Sequence, residues 1–123
     1  MSNPLRLNLV LDATPVTLVN SDGAEETYEI REMMAAVRDK YMDQLGDRMK
    51  VGPDGKVIGV KKFDGLQASL LSVCLYDKDG KLVPQTVIQA WPGGVVSSLF
   101  DEAQRINRLT STKEEVTEEV KKG

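Results

Sequence analysis

Residues 64–109 read DGLQASLLSVCLYDKDGKLVPQTVIQAWPGGVVSSLFDEAQRINRL, and the fold turns on how this stretch divides into elements. Leu66, Leu70, Val73 and Cys74 recur at helical spacing, and Leu71 and Leu75 widen the apolar face, which predicts a helix over about 65–75. Asp64 stands where an N-cap belongs, with Gln67 at the capping-box position three residues on. A second helix is predicted over about 94–109. Its inner face carries Val95, Val96, Leu99, Phe100, Ala103 and Ile106, and its outer face carries Ser98, Asp101, Glu102, Gln104 and Arg105. Between the two, Asp77-Lys78-Asp79-Gly80 is a turn signal. A calcium loop with Gly80 as its sixth position would begin at Leu75 and end at Thr86, and neither supplies a carboxylate. Pro84 opens a short helix over 84–91 that turns Val87, Ile88 and Trp91 inward. Trp91-Pro92-Gly93-Gly94 then breaks the chain into an elbow whose glycines allow a close backbone approach. No Lys-Ser or Lys-Thr follows these glycines, so a phosphate loop is not supported.

Upstream, Leu5, Leu7, Leu9 and Leu11 alternate with Arg6, Asn8 and Val10, a period of two that predicts a half-buried strand. Asp12-Ala13-Thr14-Pro15 is expected to break it before a second strand over 16–19. Asn20-Ser21-Asp22-Gly23 reverses the chain into a third strand over 27–30. A helix over about 31–49 follows, with Ile30, Met33, Met34, Val37, Tyr41, Leu45 and Met49 along one stripe. The stripe is read first as core and second as a groove for a partner. After the turn Gly52-Pro53-Asp54-Gly55, residues Val57, Ile58 and Val60 form either a brief strand with Val51 or an ordered loop. Phe63 is expected to anchor the start of the helix that follows it, and Lys61-Lys62 a solvated edge. The fold class is therefore α+β: a small N-terminal antiparallel sheet of about three strands, a meander, packed with three main helices. One globular domain spans 1–110, and a charged, flexible tail spans 111–123, where Ser111 and Glu114 have capping-box spacing.

Composition narrows the function. The 123 residues carry a net charge of −3, so no strongly basic field draws nucleic acid. His is absent, which removes Ser-His and Cys-His catalysis and the common zinc sites. The single cysteine, Cys74, lies on the apolar face of a predicted helix and reads as a buried, inert thiol in a reducing compartment. No apolar run approaches the ~20 residues that span a bilayer, and Arg6 and Asn8 interrupt the only leader-like stretch. A soluble, cytosolic, non-enzymatic protein without cofactor or metal is expected. Asp77 and Asp79 are paired carboxylates, but a polar turn does not tune an acid or base.

The order of signals resembles the tail assembly chaperones of long-tailed, siphophage-type bacteriophages and prophages. The residues that carry the resemblance begin with Tyr28-Glu29-Ile30-Arg31-Glu32 and Arg38-Asp39-Lys40-Tyr41. Phe63-Asp64-Gly65-Leu66-Gln67, Leu71 to Leu75 and Asp77-Lys78-Asp79-Gly80-Lys81 follow, then Pro92 to Val96, Leu99-Phe100-Asp101-Glu102-Ala103 and Ile106-Asn107. The chain departs from the family at Arg108, where such proteins often have Gly, at Trp91, where they usually have Leu, and in keeping both glycines at the elbow.

The resemblance implies a chaperone that binds and solubilises the tape measure protein in the bacterial host cytoplasm during tail assembly. It also implies hand-over to the major tail protein, in many members through a minority form extended by a ribosomal frameshift near the gene's end. Lys121-Lys122 reads first as an ordinary charged terminus and second as compatible with such a slippery site. Two other readings stay open: a small structural tail subunit retained in the virion, and a regulatory module that binds a host protein. Met33, Met34, Trp91 and Phe100 are the candidate partner-binding residues, chosen as large or adaptable apolar groups on the stripe and near the elbow, with Trp91 and Phe100 read first as core and second as client contacts. The short N-terminal strands also predict weak self-association, edge to edge. Neither nucleic acid nor membrane is expected as a partner.

Overall fold

The computed structural model describes residues 4–60 and 64–109. Strand β1 (Ala13–Val19) pairs antiparallel with β2 (Glu25–Arg31), so that Thr14 faces Ile30 and Val16 faces Tyr28. The reversal between them is closed by Asn20, whose N–H donates to Ala24 O at 2.8 Å. Helix α1 spans Ala35–Gly46 and leads into a hairpin of β3 (Met49–Val51) and β4 (Val57–Val60). Helix α2 (Leu66–Leu71) precedes β5 (Leu75–Asp77), which joins the other side of β2. Helices α3 (Gln85–Gln89) and α4 (Gly93–Ile106) complete the α+β fold.

The main sheet has the order β1-β2-β5. Its inner face presents Ile30 and Leu75, both fully buried, with Val16 and Tyr28 packed beside them. Helices α2, α3 and α4 pack on one another, and α4 also reaches β2. Leu70, Leu71, Cys74, Ile88 and Ala103 are fully buried at the centre. Each large aliphatic side chain withdrawn in this way stabilises the fold by about 1.5–3 kcal/mol. Of the six residues predicted on the inner face of α4, Val96, Leu99, Phe100, Ala103 and Ile106 are buried and Val95 is half-buried against the core.

Five local expectations are corrected. The Leu5–Leu11 alternation forms no strand. Leu5, Leu7, Leu9 and Val10 are 73–98% exposed, and no described strand lies beside them. The third strand of the sheet is instead β5, drawn from the end of the predicted 65–75 helix. Helix α2 stops at Leu71, and Val73 and Cys74 donate back three residues to Leu70 O and Leu71 O, tightening the chain into β5. Val73, Leu75 and Tyr76 favour a pleated surface over a helix interior.

Pro15 does not interrupt β1. Glu32 N–H donates to Asp12 O and Asn20 N–H to Ala24 O, which fixes the hydrogen-bonded pairs of the β1-β2 ladder at even positions of β1. Pro15 therefore points its missing donor away from β2, where a sheet edge tolerates it. Helix α1 begins four residues later than expected, because Arg31 still belongs to β2 and its N–H bonds Cys74 O. Asp64 does not cap α2. Gly65 holds the N-cap position at φ +73°, and Arg48 Nη1 donates to Asp64 O at 2.6 Å. A Cβ on Gly65 would sit 2.7 Å from Gln85 Nε2, so the left-handed turn also brings α2 and α3 together. Phe63, Lys61-Lys62 and the tail over 111–123 lie outside the described residues.

Gly52-Pro53-Asp54-Gly55 makes the expected turn. Gly52 N–H reaches Lys56 O at 2.8 Å, and Asp54 Oδ1 accepts from Lys56 N–H. It joins two strands, so the strand alternative for residues 57–60 holds over the loop.

Candidate partner-binding surface

Met33 and Met34 are adjacent and have opposite fates. Met33 is buried at the junction of β2 and α1, and its N–H donates to Asn107 Oδ1 at 2.7 Å. Met34 takes the extended conformation that precedes α1, at φ −64° and ψ 154°, and is 62% exposed. Phe100 is buried on the inner face of α4. Of the four candidate residues, Met33 and Phe100 are therefore core, and only Met34 and part of Trp91 reach the surface.

Trp91 sits at the elbow. Its N–H bonds Ile88 O at the end of α3, and Pro92 occupies the N-cap of α4. The indole meets Tyr28 edge to face, with ring centroids 5.6 Å apart and planes at 72°. This contact ties the elbow to the middle of β2. The glycines after Pro92 do not support a close approach: a Cβ on Gly93 or Gly94 would meet nothing within 4 Å.

The Tyr28 hydroxyl donates to Glu26 Oε2 at 2.7 Å, while Glu26 Oε1 accepts from Asn20 Nδ2 at 3.1 Å. Burial, reinforced by the Glu26 carboxylate, pushes the Tyr28 phenol up to about 12. The hydrogen bonds from Tyr28 and Asn20 hold the Glu26 carboxyl below its ordinary range. At neutral pH this pair is a neutral phenol on a carboxylate. Next to it lies a shallow depression of about 290 Å³ lined by Tyr28, Glu25, Glu26, Asp77, Lys78 and Asp79. Asp77 is engaged in the turn itself: its Oδ1 accepts from Asp79 N–H and Lys81 N–H at 2.9 and 3.0 Å. Gly80 closes that turn at φ +76°, a conformation that favours glycine. The Asp-Lys-Asp-Gly run thus has a structural use as a tight turn, as read from the sequence.

On the outer face of the sheet, Arg31 pairs with Glu29 and lies over the Tyr76 ring at 4.2 Å. In the turn between α2 and β5, the Cys74 thiol donates to Leu70 O and is pushed up to about 12 by burial. It is protonated and enclosed, not a nucleophile.

Among the described residues Asn107 is the one buried polar residue, and its importance was missed in the sequence. Its Nδ2 donates to Ala103 O at 2.9 Å while Oδ1 holds Met33 N–H. One side chain thus fastens the β2-α1 junction to the end of α4 across 74 residues of chain. A polar residue set between Ile106 and Leu109 at the end of an apolar helix face was the available signal.

Among the described residues, no group of three or more His, Cys, Asp or Glu side chains is placed to hold a metal ion, and no helix is long and apolar enough to cross a membrane. No known family, curated protein or solved structure matches the chain.

Proposed function

We propose that this chain is a tail assembly chaperone of a siphophage-type bacteriophage or prophage, which binds and solubilises the tape measure protein in the host cytoplasm without catalysing a reaction. The observation that carries the reading is the pattern of spaced positions from Tyr28 to Asn107 that resembles this family. Open apolar surface on an acidic chain supports it: Leu5, Leu7, Leu9, Val10 and Met34 are all more than half exposed, at a net charge of −3. A holder of amphipathic helices needs adaptable apolar groups and a solubilising exterior. Met34, flexible and outward beside the start of α1, is the residue we assign to client contact, with the open edge of Trp91 as the second. Hand-over to the major tail protein through a frameshifted extension belongs to the same proposal.

The test is co-expression with the tape measure chain encoded nearby. The soluble fraction of that chain should rise with the wild-type protein and fall back with Met34→Asp, while the melting temperature of the variant stays unchanged. Purified virions should lack the protein by mass spectrometry. An insoluble tape measure chain in every pairing, or stoichiometric retention in virions, would overturn the proposal; retention would favour a structural subunit.

A further inference from the structure

The segment 4–12 and the outer edge of β1 are complementary, and within the described molecule they stand unpaired. We infer that Leu5–Leu11 of one copy adds as a strand to the free edge of β1 in a second copy. The inference stands apart from the chaperone proposal, because it uses neither a client nor the family.

The acceptor is defined by the ladder. The even positions of β1 bond β2, so Ala13, Thr17 and Val19 direct their N–H groups, and these three with Pro15 their carbonyls, to the side away from β2. Among the described residues no strand lies on that side. The inner-face residues of β1, Thr14, Val16 and Leu18, are only half-buried, so a further strand bearing apolar groups on the same face would complete their cover.

The donor has the matching pattern. Leu5, Leu7, Leu9 and Leu11 fall on one face of an extended chain, with Arg6, Asn8 and Val10 on the other. Leu5, Leu7 and Leu9 are 77–98% exposed, a state that nothing local rewards. The segment does not pair with its own β1: the sheet order is β1-β2-β5, with no described strand beyond β1. Asp12 is bound at both ends of its backbone to Glu32: its N–H donates to Glu32 Oε1 at 3.0 Å and its O accepts from Glu32 N–H at 2.8 Å. The ladder therefore reaches Asp12, and upstream of it the chain bends at Val10, whose N–H donates to Asn8 Oδ1 at 3.0 Å.

Area sets the strength and form of the association. Four leucines and their backbone bury on the order of 400 Å² from the donor and about as much from the acceptor, roughly half of a standard interface. One such contact gives weak, concentration-dependent assembly. Each copy offers one donor and one acceptor, so contacts that are not exchanged reciprocally extend head to tail.

Sedimentation velocity of the full chain over micromolar to sub-millimolar concentrations tests this. The wild type should show a rising weight-average mass. Leu7→Glu, placed where the side chain is 77% exposed, should lose that rise at an unchanged melting temperature. Thr17→Pro, which deletes an outward N–H of the acceptor, should lose it too. A mixture of Leu7→Glu with Thr17→Pro should then recover one contact, since each retains what the other lacks, and form dimers only. A wild type that stays monomeric throughout overturns the inference. So does mass growth that persists in Leu7→Glu, whose fold the substitution cannot disturb.

Discussion

Arg108 is the only non-glycine described residue with a positive φ, at +58°. It follows the C-cap Asn107, and the bonds around it are those of a Schellman motif. Leu109 N–H donates to Gln104 O at 2.8 Å, and Arg108 N–H donates to Arg105 O at 3.1 Å. Buried Leu109 supplies the apolar contact that accompanies the motif. The backbone at Arg108 is therefore the one that glycine usually provides, imposed on a residue with a Cβ. Left-handed backbone costs an L-residue about 1–2 kcal/mol, while glycine gives back about 0.4–1 kcal/mol to the unfolded chain. Arg108→Gly should then stabilise the domain by about 0.5–1 kcal/mol, net of the side-chain interactions that Arg108 gives up. In a domain of this size that raises Tm by roughly 2–6 °C. Arg108→Val should act oppositely, because β-branching makes the left-handed region harder to occupy. Urea denaturation with an unchanged m-value, paired with a thermal melt, measures both. If Arg108→Gly lowers Tm and Arg108→Val does not, helix-end strain is not what governs this position.

Three further outcomes follow from the geometry. Asn107→Ala strands the buried Met33 N–H and should destabilise by about 1–3 kcal/mol, with early loss of hydrogen-exchange protection at Met33. Gly65→Ala places a Cβ at φ +73°, with the flexible Gln85 amide swinging aside, and should lower stability by about 1 kcal/mol in the same denaturation assay. Glu102 accepts from Arg105 first and also from Thr14, which holds its carboxyl near 2 against an ordinary 4.5. A depressed carboxylate stabilises the fold above its unfolded pKa, and that contribution is lost as pH falls from 4.5 towards 2. The pair is at the surface, so the loss is under about 1 kcal/mol. Wild type and Glu102→Gln should therefore converge in stability across that window; parallel pH profiles would count against the assignment.

Helix α4 was legible because five of its apolar positions share one face and all five are buried. The three-stranded antiparallel sheet was legible as a class, with β1 and β2 in place, yet its third strand was sought in the wrong segment. Period-two alternation at Leu5–Leu11 states that a face wants cover but not that the chain supplies it. Apolar spacing across Leu66–Leu75 fits a helix until β-favouring residues and the pairing of Leu75 with Ile30 take over. Pro15 looked like a breaker because its cost depends on which way its nitrogen points, a property of the ladder and not of the residue. Met33 and Met34 are chemically identical, so nothing short of the backbone path separates a core residue from an exposed one. Asn107 illustrates the reverse: a polar side chain given no packing role in the sequence is the fastening between two distant parts of the chain.

The contact between Tyr28 and Trp91 gives the molecule a built-in optical reporter. Trp91 is the single tryptophan, so all indole emission arises at the elbow, half out of water and against the middle of the main sheet. A ligand that settles over the elbow shifts that emission to shorter wavelength. One that engages only the N-terminal segment leaves it where it was, and an undocking of α4 from the sheet moves it towards the red before the far-ultraviolet helix signal changes. Where a partner lands can thus be read on the native chain, without attaching a dye.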